Sequence, residues 1–230
     1  MRRFYKKAGT AKSDSGFAVT LDGKVVRTFA GTAMALSSRA LAEAIAQEWQ
    51  AQGEKVDLHG MPLMRLAVAA LDYVAPERDA VVASMLEYAK TDLLCYRVVE
   101  PADLAERQAL AWQPLVDWAA SRFGAPLAVT VELAATPQPT ASLAALEAAI
   151  SDLDDLRLTG LRGCTGICRS LILGLALTEG RIDAEAAWKL SQLDEDFQIE
   201  RWGEDEEATE QRAALRASLD AVERFLSLLG

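Results

Sequence analysis

Apolar positions along this chain change period once, and the change divides it. Near the N-terminus, GFAVTL (16–21) and KVVRTF (24–29) are short runs rich in β-branched and aromatic residues, the make-up of half-buried strands. Asp22-Gly23 joins them; this dipeptide signals a tight hairpin because both turn positions accept positive φ. Ser37-Ser38 offers N-cap oxygens, Leu41, Ile45 and Trp49 recur at helical spacing, and Gly53 is expected to close that helix. A loop is expected over 54–60.

From Pro62 the period is helical. Pro62 suits a first helical turn, and Leu63, Leu66, Ala67, Ala70, Leu71 and Val74 draw one apolar stripe. Pro76 is read as opening the next helix, with Val82, Met85, Leu86 and Ala89 inward. Asp103 is expected to cap a helix reaching Phe123, and Pro114 to kink or restart it. APLAVTVEL (125–133) reads as one further strand, bounded by Gly124-Ala125-Pro126 and Pro137-Gln138-Pro139. Helices are predicted over 141–155, 161–178, 184–200 and 206–229, the last with Leu215, Leu219, Val222, Leu226 and Leu229 on one face. The fold class is therefore α+β: a small β-rich N-terminal domain (1–60) followed by a larger, mainly α-helical domain (61–230).

Composition narrows the function. At 230 residues, half of them hydrophobic and a quarter charged, the chain can bury a substantial core. Its net charge of −10 disfavours nucleic acid and anionic membrane surfaces, both of which demand clustered Lys and Arg. Basic residues gather only in the first twelve positions (Arg2, Arg3, Lys6, Lys7, Lys12), which read as an arm of the mature protein rather than a secretory signal. The longest apolar run, LILGLAL (171–177), is far shorter than the ~20 residues a bilayer core requires. Three cysteines (Cys95, Cys164, Cys168) suit a reducing compartment better than a disulfide framework.

Most of the charge lies in one place. LDEDFQIERWGEDEEA (193–208) sets eight carboxylates against Arg201, a local −8 + 1 = −7 out of −10. Three readings of the block stand open: a metal site, a solvated face, or a surface that meets a partner. At ~100° per residue, Asp194, Glu195 and Asp196 fan over about 200° of a helix and cannot all face one ion. Trp202 among the acids favours the partner, since aromatics beside charges are typical of recognition hot spots; it would equally serve as the anchor of the turn before the last helix.

The remaining candidates lead to bland readings. His59 is the only histidine, so any imidazole catalysis would rest on it alone, and an exposed loop residue is expected. Cys164 and Cys168 in CTGIC share a helix face and read as small core residues. GLRGCTG (160–166) lacks the Lys-Ser or Lys-Thr that completes a phosphate loop. The five tryptophans (Trp49, Trp112, Trp118, Trp188, Trp202) read as core anchors.

Six blocks occur together in order: LDGKVVRT (21–28), EAIAQEWQAQGEKVD (43–57), Met61-Pro62-Leu63, YAKTDLLCYR (88–97), WQPLVDW (112–118) and LDEDFQIERWGEDEEA (193–208). In sequence and spacing they resemble the Atp-twelve class of assembly chaperones for the catalytic sector of the F-type ATP synthase, over roughly 20–225. Phe29 departs from the proline that the family tends to carry there, and CTGIC falls in a more variable helix.

The resemblance implies a β-containing N-terminal domain with a helical C-terminal one. It implies a chaperone, not an enzyme, that binds the unassembled α subunit as a transient client and releases it to β subunits. It also marks the acidic block as important, here Asp194, Glu195, Gln198, Trp202, Gly203, Asp205, Glu206 and Ala208. No cofactor, metal, nucleic acid or membrane insertion is expected, and a monomer is. Beginning MRRFYKKAG, with almost no leader before the first block, the chain is expected in the bacterial cytoplasm, or the mitochondrial matrix if eukaryotic. The alternative is a metal-dependent hydrolase using the 194–207 acidic cluster.

Overall fold

A computed structural model describes residues 2–132, 134, 136–203 and 206–230, with the backbone alone for Glu206 and Glu207. Four short strands form an antiparallel sheet: β1 (Ala8–Ser13), β2 (Gly16–Leu21), β3 (Lys24–Val25) and β4 (Ala35–Leu36), with β2 central. The β2–β3 hairpin pairs Leu21 with Lys24 across Asp22 (φ 48) and Gly23 (φ 80), the left-handed pair that a two-residue turn requires. KVVRTF is strand only at its first two residues; beyond them Arg27 bridges Ala33, and the Val26 N–H donates to the Val19 carbonyl. The N-terminal arm is not free. Lys12 pairs with Phe17 inside β1, and the Arg3 guanidinium donates to the carbonyls of Tyr5, Lys6 and Gln50.

Helix α1 (Arg39–Gln50) packs on β1, β2 and β4 through Leu41, Ile45 and Trp49, all buried. Ser38 caps it by accepting from the Leu41 N–H. It ends at Ala51, whose N–H returns to Gln47, two residues before the expected Gly53. Pro62 does open α2 (Pro62–Ala69), which continues as a wider turn over Ala70–Val74. Its first amide donors go to the Glu48 carboxylate, which accepts from Leu63 and Met64.

Two compact units account for the contacts. One comprises Met1–Arg78, Asp154–Gly160 and Ala221–Gly230, the other Asp79–Leu153 and Leu161–Asp220. The first thus holds the sheet and extends past the boundary expected near residue 60, taking in two later segments. Its core adds Leu156 and Phe225 to the sheet and to α1; full burial of one such side chain is worth about 1.5–3 kcal/mol.

The second unit is helical. Its elements are α3 (Arg78–Lys90), α4 (Ala102–Phe123), α5 (Thr140–Ser151), α6 (Asp155–Cys168), α7 (Leu171–Thr178), α8 (Ala184–Ser191), α9 (Leu193–Trp202) and α10 (Glu206–Ser227), of which the first residue of α3, the start of α6 and the end of α10 belong to the first unit. Apolar on every side, α7 has all eight residues buried and packs on α4 and α8. Among the described residues no helix is long and apolar enough to cross a membrane.

Four local expectations need correction. Helix α3 begins at Arg78, after a turn, rather than at Pro76. Pro101 holds the N-cap position of α4, while Asp103 lies inside the first turn, and the helix runs on through Pro114. APLAVTVEL forms no strand among its described residues. It makes one isolated bridge, Thr130 with Tyr96, and at Ala128 the Gln138 side chain takes the place of a strand: its amide accepts from the Ala128 N–H and donates to the Ala128 carbonyl. The helices predicted as 161–178 and 184–200 are each broken in two, at Arg169 (φ 54), where Ser170 caps α7, and at Gln192.

Candidate functional site

The acidic block begins on α9, which the break at Gln192 sets up. Asp194, Glu195 and Asp196 fall in its first turn, where unpaired amides and the helix dipole favour negative charge by about 0.3–1 kcal/mol each. Phe197 turns inward and is buried, with the Arg201 guanidinium 4.1 Å and that of Arg107 5.3 Å from its ring centroid. Gln198, Glu200, Arg201 and Trp202 are exposed.

Asp194 parts from Glu195 and Asp196, which share one partner; the ~100° step of a helix separates it from its neighbours. Asp194 accepts from Gln108 Nε2 on α4 at 2.8 Å. Asp196 and Glu195 both meet Arg212 on α10, the latter at 3.8 Å. Further along, one nitrogen of Arg107 donates to both Glu200 oxygens (3.0 and 2.9 Å) and Arg201 pairs with Asp103 at 2.7 Å. Among the described residues no three His, Cys, Asp or Glu side chains gather as a metal site would require.

Behind Asp194 lies a support that the sequence did not announce. Gln108 is 1 % exposed; it donates to Asp194 and accepts from the Val98 N–H at 2.8 Å. Arg97 stacks over Trp112 (5.2 Å to the centroid) and donates to the carbonyls of Leu94 and Gln108. Burial pushes the Arg97 pKa down, and the charge of Asp194 opposes that shift. Gln108 lies on α4, 86 positions from the acid it holds, and Arg97 lies before that helix. Arg97 ends the block YAKTDLLCYR, Trp112 begins WQPLVDW, and Gln108 lies between the two.

In front of Asp194 is a hollow of about 420 Å³. Asp194, Glu195 and Gln198 form one wall, facing Thr91, Tyr96 and Arg169. Arg169 stands there because the chain reverses into the left-handed region between α6 and α7 (φ 54), with its carbonyl accepting from the Leu93 N–H. The hollow therefore brings together three of the expected site residues with a cation from elsewhere in the chain.

Trp202 ends α9 and is 75 % exposed, so it does not anchor the turn to the last helix through burial. Gly203 follows with φ 84, a conformation that costs glycine little and other residues more. Asp205 lies outside the described residues. Glu206 is the first residue of α10, and its side chain also lies outside them.

Elsewhere the side chains take structural places. His59 is exposed, its N–H donating to Asp57. Cys164 and Cys168 are buried with sulfurs 3.8 Å apart, and GLRGCTG is helical, as part of α6. Trp112 is a core anchor, its indole donating to the Leu190 carbonyl at 2.9 Å.

A four-stranded antiparallel sheet followed by helices, with the acidic α9 next to last, is a fold shared with solved structures of chaperones. The chain is similar to the crystal structure of Atp12 from Paracoccus denitrificans, with a TM-score of 0.96 and 45 % identity, covering 100 % of this chain and 98 % of that one. A single-site mutant of that protein matches equally well. A protein of Agrobacterium tumefaciens matches with a TM-score of 0.94 and 38 % identity, covering 100 % of this chain and 86 % of the other. Among curated relatives, the mitochondrial protein atp12 of Schizosaccharomyces pombe is 24 % identical over 221 residues, 91 % of this chain and 76 % of its own length. The family model described as ATP12 chaperone protein matches residues 2–120. The chain belongs to that family, whose members are assembly factors of the ATP synthase rather than enzymes.

Proposed function

We propose that this protein holds the unassembled α subunit of the F-type ATP synthase catalytic sector, shields it from aggregation, and releases it to β subunits. The observation that carries the site is Trp202, 75 % exposed at the end of an acidic helix. A large aromatic left in water beside charges gains most from a partner that covers it. In this reading Asp194, Glu195 and Gln198 offer a polar wall, Trp202 an apolar contact, and Asp205 and Glu206 further negative charge. Release calls for intermediate affinity, and contacts dominated by exposed charge supply orientation and speed of encounter more than tightness. The protein acts as a monomer in the bacterial cytoplasm and needs no cofactor.

Separately expressed α and β subunits, offered to the immobilised chaperone, test the client: α alone should be retained. The double reversal Glu195→Lys and Glu206→Lys tests the site. It should weaken capture of α at low salt by more than the loss of about 1 kcal/mol in stability that reversing Glu195, in the first turn of α9 and beside Arg212, would bring. Equal capture of α by the folded double variant would remove the acidic face from the mechanism; retention of β in preference to α would remove the client.

A further inference from the structure

The first unit carries a groove that the acidic face does not explain. It encloses about 770 Å³, and Tyr5, Leu21, Val26, Trp49, Met64 and Val68 line it. Three large apolar side chains at its margin stand in water: Phe29 is 88 % exposed, Phe4 66 % and Val25 44 %. A contiguous apolar surface of this kind is uncommon on a protein that has no use for it.

Charge at the groove runs opposite to that of the chain. Its lining includes three cations, Lys24, Arg27 and Arg65, and one carboxylate, Asp22, on a protein whose net charge is −10. Asp22 is already engaged: its two oxygens accept from the backbone N–H groups of Lys6 and Lys7, which hold its pKa below the ordinary value. Arg27 reaches the Gly31 carbonyl through one nitrogen. Lys24 and Arg65 form no ion pair among the described residues.

We propose that this groove is a docking site for a partner protein segment that carries large apolar side chains between carboxylates. The apolar lining takes the side chains, and Lys24, Arg27 and Arg65 meet the carboxylates. A segment fits better than a small amphiphile because Phe4 and Phe29 flank the opening and would remain wet above a ligand seated in it. The rim is basic where α9 is acidic, so the two surfaces select different chemistry, and either reading can fail without the other.

Fluorescence anisotropy with two labelled synthetic peptides tests the proposal. Both carry the same Leu- and Phe-rich centre; one ends in Asp and Glu, the other in Lys and Arg. The acid-ended peptide should bind about tenfold more tightly, the scale expected when two exposed charge contacts change sign. Lys24→Glu with Arg65→Glu, both exposed, should reverse that preference. Val68→Trp should fill the groove and abolish binding of both peptides.

Failure of the acid-ended peptide to bind, or binding indifferent to the charge reversal, overturns the proposal. So does dodecanoate that binds in the groove and resists displacement by the peptide, which would make it a small-amphiphile site. Concentration-dependent dimerisation in sedimentation velocity that Lys24→Glu with Arg65→Glu removes would assign the groove to a second copy of the chain and overturn it as well.

Discussion

Asp92 is fully buried, and its position makes the stability of this protein depend on pH in an unusual sense. Its carboxylate accepts from the Leu94 N–H (3.0 Å), the Ser170 hydroxyl (2.8 Å) and the Ile172 N–H (3.0 Å), joining the turn after α3 to the start of α7. Desolvation outweighs these bonds and raises its pKa from 3.8 to about 6. Below pH 3.8 both the folded and the unfolded chain carry the proton. Between 3.8 and about 6 only the unfolded chain has released it, so stability falls as pH rises. At about 1.36 kcal/mol per unit the loss amounts to about 3 kcal/mol, complete above the folded value.

Asp92→Asn removes the titration and keeps the shape. Its amide would oppose the Ile172 N–H, a constant cost of about 1–3 kcal/mol. Urea denaturation of both proteins from about pH 4 to about pH 7 isolates the effect, because other carboxylates cancel in the difference. The stability of the wild type minus that of the variant should fall by about 2.4 kcal/mol over this interval, the first part of the loss lying below pH 4. A difference that stays constant, or grows with pH, would refute the reasoning.

Two further substitutions probe packing and support. Gly174→Ala would place a methyl group against Thr165 Oγ1 and Leu161 Cδ1; despite the better helix propensity of alanine, thermal unfolding should show a loss of about 1–3 kcal/mol. Gln108→Leu would strand the Val98 N–H and release Asp194, at about 1–3 kcal/mol by urea denaturation, and hydrogen exchange at Val98 should accelerate.

Sequence patterns determined those parts of the protein whose physics is local. The Asp22-Gly23 hairpin, the Ser38 cap, Pro62 at a helix start and the fan of acids on α9 each follow from a few adjacent residues. LILGLAL was legible only as a run too short to span a bilayer, inside one helix predicted over 161–178; the structure makes it a separate buried helix, α7. The six ordered blocks identified the family.

Tertiary structure decided what depends on distant partners. Strand β1 has little apolar alternation and is a strand because β2 pairs with it along its whole length. APLAVTVEL has strand composition, yet at Ala128 a glutamine side chain takes the place of a strand. The helix break at Arg169 carries no Gly or Pro; Ser170, which caps the helix after it, donates to the remote Asp92. At the acidic block the same division holds: charge and helical phase were local, but Gln108, Arg107 and Arg212, which orient the acids, come from α4 and α10. Side-chain periodicity reports which face of an element is apolar; it carries no information about which remote polar group will face a given carboxylate.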